Sequence, residues 1–169
     1  MKIFFLGFNK TATCTIHQLL IANGINAQHD SHWDLDHYDA FSDCGDLQDY
    51  RTLHQTYPDA YFILNIREER GWLLSRLKHG KIYKQSEFGH PEPTLDLLQR
   101  WHEDYHRHHK EVIEYFMDAP RFHVLKIEGS WKKRLADILG LKKYDTIDSH
   151  KSEYFPIFEE YKKLITEVV

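Results

Sequence analysis

Ile3-Phe4-Phe5-Leu6-Gly7-Phe8-Asn9-Lys10-Thr11-Ala12-Thr13-Cys14-Thr15-Ile16 decides how this chain is read. Ile3 to Phe8 is a continuous apolar run with β-branched and aromatic members, the pattern of a strand buried on both faces of a parallel sheet. Asn9 to Thr13 is small and polar, hence a loop. From Thr13 the apolar residues Ile16, Leu19 and Leu20 recur at helical spacing until Gly24, a residue favoured just past a helix C-terminus. Ile25 to His29 reads as a short second strand.

The same alternation continues outward. Tyr38 to Cys44 is a short strand or loop, Leu47 to Tyr57 a helix stopped by Pro58, and Ala60 to Ile66 the strongest strand. Glu68 to Leu77 is the next helix, and Lys78 to Pro93, with two glycines and two prolines, reads as a loop covering a site. Thr94 to Met117 is a long helix capped by Thr94. Phe122 to Ile127 is a strand, Trp131 to Leu139 a helix closed by Gly140, and Ser152 to Val169 a final helix. Strands alternating with helices predict an α/β fold with a central parallel sheet flanked by helices, as a single domain over 1–169.

Composition narrows the function. Of 169 residues 41% are hydrophobic and 28% charged, so a packed core is expected. A net charge of −4 lacks the basic surplus of a nucleic-acid binder. No run approaches the roughly 18 apolar residues of a membrane span, and the apolar start lacks a cleavage site. Two cysteines, Cys14 and Cys44, are too few for a disulfide framework and fit a soluble, cytoplasmic protein.

The first loop suits an anion. A helix N-terminus offers unpaired amides and the positive end of its dipole, Lys10 adds a charge, and Thr11, Thr13 and Thr15 add hydroxyls. It is not a Walker A loop, which places lysine after its glycines and before Ser or Thr. A second motif follows the strongest strand: Arg67 at its end and Ser75 eight residues on.

Lys10-Thr11-Ala12-Thr13-Cys14-Thr15 resembles the 5′-phosphosulfate loop of the sulfotransferases that use 3′-phosphoadenosine 5′-phosphosulfate, except that Ala12 replaces the family's glycine. Arg67 and Ser75 resemble that family's 3′-phosphate pair, and Tyr57-Pro58-Asp59-Ala60-Tyr61-Phe62-Ile63-Leu64 is similar to its approach to the strand. The resemblance runs from about Lys2 to Leu141 and is nearest to small bacterial and phage-type members. It implies a three-layer P-loop-type fold and transfer of a sulfuryl group to a hydroxyl or amine of a small-molecule or glycan-type acceptor, without a metal. Asn9, Lys10, Thr11, Ala12, Thr13, Cys14 and Thr15 would hold the 5′-phosphosulfate, with Lys10 also catalytic; Arg67 and Ser75 would hold the 3′-phosphate.

A general base is needed to take the acceptor's proton. His32 leads, with Asp30 and His29 beside it and Asp43 as a further candidate. The alternative is a non-catalytic nucleotide- or partner-binding protein that kept the fold, a reading fed by Ala12. A small nucleotide kinase would show Gly-Lys-Ser/Thr after the first strand and an acidic magnesium ligand later, and neither is evident. His102, His106 and His109 fall at i, i+4 and i+7 of the long helix. This face is read as exposed and partly charged, because the spacing His-Glu-x-x-x-His does not match the metalloprotease motif. His108, if it matches the family's helix histidine, lies near the acceptor or packs structurally.

Overall fold

The computed structural model describes residues 1–83, 94–145 and 163–169. Strand β1 (Ile3–Phe5) lies at the centre of a five-stranded, all-parallel sheet. Its neighbours are β3 (Ala40–Ser42) and β4 (Tyr61–Ile66), with β2 (Ala27–His29) and β5 (Phe122–Lys126) at the edges. Phe4 pairs with Phe41 on one side and Phe62 on the other. With both faces covered, every β1 residue is buried, as the unbroken apolar run requires.

The alternation of side chains along β1 sorts the helices into layers. Ile3 and Phe5 pack with α1 (Thr13–Ala22) and α5 (Trp131–Leu139), through Ile16, Leu19, Leu20, Leu135 and Ala136. Phe4 and Leu6 face the opposite layer, formed by α2 (Tyr50–Thr56) and the C-terminal half of α4 (Leu95–Phe116). There Phe4, Phe41, Phe62 and Phe116 stack with centroids 4.7–5.3 Å apart. Each such aromatic contributes about 1.5–3 kcal/mol by burial. A third cluster lies where the chain leaves β1: Phe8, Trp72, Leu73 and Leu77 of α3 (Glu69–Tyr83), then Leu98 and Tyr105 of α4, and Ile165.

Local signals act as the sequence indicates. Thr94 caps α4 by accepting from the Leu97 amide, and Asp49 caps α2. Gly24 and Gly140 adopt left-handed φ of 78° and 68° just beyond α1 and α5. Two expectations need correction. α3 does not stop at Leu77 but runs to Tyr83, so the first residues of the expected 78–93 loop are helical; 84–93 lie outside the described residues. Of the expected helix over 152–169, residues 163–166 are helical and 152–162 lie outside the described residues. No described helix is long and apolar enough to cross a membrane.

Candidate active site

The site forms where three loops leave the same end of the sheet: residues 6–12 after β1, 43–44 after β3 and 67–68 after β4. Gly7 marks the closest approach. A Cβ there would lie 2.1 Å from the Asn65 carbonyl oxygen, so only glycine lets the β1 loop pass over β4. The loop is then tied to β4 and α3 by buried donors. Asn65, fully buried, accepts from the Gly7 amide at 3.0 Å and donates to Thr11 Oγ1 at 2.6 Å and the Thr11 carbonyl at 3.2 Å. The Thr11 hydroxyl donates to the Phe8 carbonyl. Trp72 Nε1 donates to the Asn9 carbonyl at 3.0 Å, and Arg67 Nη1 to the Lys10 carbonyl at 3.2 Å.

Four successive carbonyls, of residues 8 to 11, thus each accept a side-chain donor. An amide N–H points opposite to the carbonyl of its own peptide unit, so the amides of Asn9 to Ala12 turn away from that scaffold. Lys10 and Ala12 hold left-handed φ of 66° and 64°, the kind of reversal that curls a backbone into an anion-binding concavity. Ala12 is also the N-cap of α1, at the positive end of the helix dipole, and supplies no side-chain cap. The position where the related loops carry glycine therefore does need positive φ, and Ala12 bears the cost, about 1–2 kcal/mol.

Lys10 is half-buried. Burial pushes its ammonium below the usual lysine range, while Cys14, Asp43 and Cys44 pull it back up. Asp43 accepts from the Thr13 hydroxyl at 3.1 Å; like Cys44 it has left-handed φ, 82° and 52°. Left-handed backbone in two loops joined by the Thr13–Asp43 bond is a pattern met at functional sites.

Cys14, exposed in the first turn of α1, lies 3.1 Å from His29 Nε2. His29 Nδ1 donates to the Ser42 carbonyl at 3.3 Å, which leaves Nε2 to take the thiol proton. This bond lowers the Cys14 pKa, Lys10 acting the same way, and raises that of His29.

The other expected residues sit as follows. Thr13 and Thr15 are buried in the first turn of α1, and Asn9 is half-buried in the loop. Arg67 directly follows β4, and Ser75 lies half-buried in the second turn of α3. His29 and Asp43 come together with Lys10 and Cys14. Asp30 and His32 sit on an outer turn: the His32 side chain is 96% exposed, and its ring meets Ser31 and Asp30.

The histidine face of α4 needs correction. His109 is buried, its ring edge-on to Tyr105 and Phe8, and burial pushes its pKa down to about 3. His108 packs structurally, its Nε2 donating to the Leu6 carbonyl at 2.7 Å. Only His102 and His106 reach outward, toward Glu69.

Three residues of the region carry no motif signal. Asn65 reads as a polar member of a strand, yet it braces the loop. Asp46, half-buried, has its pKa raised to about 6 by burial, with Arg76 opposing. Arg76 lies over the rings of Trp72 and Trp101, at 5.0 and 4.3 Å.

The family model for the sulfotransferase domain matches residues 24–120, a stretch that contains Asp43, Arg67 and Ser75 and begins after the Lys10 loop. Among curated proteins none matches the chain. The matched stretch covers more than half of the chain, so the chain belongs to the sulfotransferase domain family.

Proposed function

We propose that this protein transfers a sulfuryl group from 3′-phosphoadenosine 5′-phosphosulfate to a hydroxyl or amine of a small-molecule or glycan-type acceptor. The observation that carries the reading is the β1 loop, with its carbonyls tied inward, its amides turned outward and a half-buried Lys10 at its crest. The donor nucleotide supplies an activated sulfuryl group on a phosphate leaving group.

The residues take the following parts. The amides of Asn9 to Cys14 and the hydroxyl of Thr15 hold the 5′-phosphate, aided by the dipole of α1, while the Thr13 hydroxyl stays with Asp43. Arg67 and Ser75 hold the 3′-phosphate, a fork and a hydroxyl suited to that anion. Lys10 stabilises the charge that builds on the bridging and leaving oxygens. Transfer of a group with spread negative charge depends mainly on positioning and electrostatic stabilisation, and a partly desolvated ammonium is stronger in that role than one in water. Asp43 takes the acceptor's proton. It faces the loop across Thr13, whereas the His29 ring is engaged by Cys14 and Ser42 and His32 stands in solvent.

The test is calorimetric titration with 3′-phosphoadenosine 5′-phosphate beside AMP and ATP, followed by a sulfated-product assay over an acceptor panel. Binding that requires the 3′-phosphate and weakens by about 1.5–3 kcal/mol in Arg67→Ala supports the donor site. Product lost in Lys10→Ala and Asp43→Asn, but retained in His32→Ala, supports the assigned roles. Equal binding of AMP overturns the donor assignment; tight binding with no product across the panel favours the non-catalytic alternative.

A further inference from the structure

Glu69 opens α3 at the point where α4 crosses it. His102 Nδ1 lies 2.7 Å from Glu69 Oε1, and His106 Nε2 lies 2.9 Å from Oε2. The two histidines are four residues apart on α4, with ring centroids 4.6 Å apart. They offer opposite ring nitrogens, which lets them converge on one point although a helical turn separates them. One ligand atom from each of the three residues lies within 4.8 Å of the others. Glu69 is mostly covered, its side chain 13% exposed, whereas His106 at 57% opens the cluster to solvent.

We infer that Glu69, His102 and His106 form a binding site for a divalent first-row transition-metal ion. The donor set decides the class: two imidazoles and one carboxylate suit zinc and its neighbours, whereas magnesium and calcium favour all-oxygen sites. The geometry is near what such an ion needs. Metal–ligand bonds of about 2.0–2.2 Å put neighbouring ligand atoms about 3.3 Å apart, so small side-chain rotations suffice. A carboxylate only accepts, so both facing ring nitrogens carry protons in the metal-free arrangement, and the ion replaces them. Three protein ligands leave at least one position for water or an anion on the exposed side.

The site also has a structural consequence. Tyr105, between the two histidines in sequence, donates its hydroxyl to the Arg67 carbonyl. Arg67 in turn holds the Lys10 carbonyl. An ion joining Glu69 to α4 therefore fastens the start of α3 two residues from Arg67. The inference does not depend on sulfuryl transfer.

Tag-free protein is titrated with zinc chloride by calorimetry, and cobalt(II) absorption is recorded in parallel. The site predicts one ion per chain, a melting temperature that rises with zinc and returns with EDTA, and a cobalt spectrum without thiolate charge transfer. Because loss of a supporting partner alone costs about 10–100-fold in affinity, Glu69→Gln and His106→Ala should each weaken binding by more than about tenfold. His37→Ala, at an exposed pair elsewhere, should leave it unchanged. His102→Ala serves as a second ligand variant, and melting in EDTA checks that each variant is folded. Absence of saturable binding overturns the proposal. So does undiminished binding in Glu69→Gln and His106→Ala, or binding lost instead in Cys14→Ser, which would move the ion to the Cys14–His29 pair.

Discussion

Asn65→Ala is the perturbation that most directly probes how the β1 loop is held. The amide is fully buried, and its removal orphans two buried backbone groups, the Gly7 N–H and the Thr11 carbonyl. The Thr11 hydroxyl keeps its bond to Phe8, so it adds little. Each orphaned group costs about 1–3 kcal/mol, giving a loss of roughly 2–6 kcal/mol. At about 2–4 °C per kcal/mol for a chain of this size, the melting temperature should fall by about 4–24 °C. Urea unfolding of wild type, Asn65→Ala, Thr11→Val and the double variant measures it. The 2.6 Å bond between Asn65 and Thr11 predicts a coupling of about 0.5–3 kcal/mol in that cycle. A loss below about 1 kcal/mol, or independent effects of the two substitutions, would refute the assignment of Asn65 as the brace.

Cys14 should alkylate with iodoacetamide at a pH below that of an ordinary thiol, and His29→Ala should shift the profile upward; identical profiles would dismiss the pair. His109 is held neutral by burial, its pKa about 3 against an ordinary 6.5. As pH falls from about 6.5 toward 3, the unfolded chain takes up a proton the native state refuses, so this residue costs up to about 1.4 kcal/mol of stability per pH unit. Urea unfolding at pH 7, 6 and 5 should show this slope in wild type and a shallower one in His109→Gln; equal slopes would place the acid sensitivity elsewhere. Ala12→Gly should keep stability within about 1 kcal/mol, since relief of left-handed strain offsets a looser unfolded chain, whereas β-branched Ala12→Val should lose more than about 1 kcal/mol. A stable Ala12→Val by thermal melt would contradict the strained geometry.

Much of this fold is legible in the sequence because its signals are local. The apolar run at Ile3 to Phe8, the caps at Thr94 and Gly140 and the alternation of strands and helices each depend on a few neighbouring residues. The candidate loop stands out for the same reason: Lys10 and three threonines fall between a strand and a helix. What escapes is long-range. Asn65 braces a loop more than fifty residues earlier, and Glu69 meets histidines more than thirty residues later. α3 continues past Leu77 and through Gly80 to Tyr83, although a helical glycine costs roughly 1 kcal/mol. His109 belongs by spacing to an outward face. The buried stripe of α4 through Leu98, Tyr105, Val112 and Phe116 sweeps it inward instead, and a polar residue gave no warning of that.

The central place of β1 bears on how the chain must fold. Its two neighbours are made later: β3 begins at Ala40 and β4 at Tyr61. During synthesis the most apolar strand of the sheet therefore emerges with no partner on either edge, and waits for some sixty residues before both sides can close. Until then an unpaired, fully apolar strand is the segment most exposed to wrong association. The strand that leads into the Lys10 loop is thus made before both of its neighbours and secured only when β4 arrives, and variants that weaken β4 should lower the yield of folded protein before they alter its chemistry.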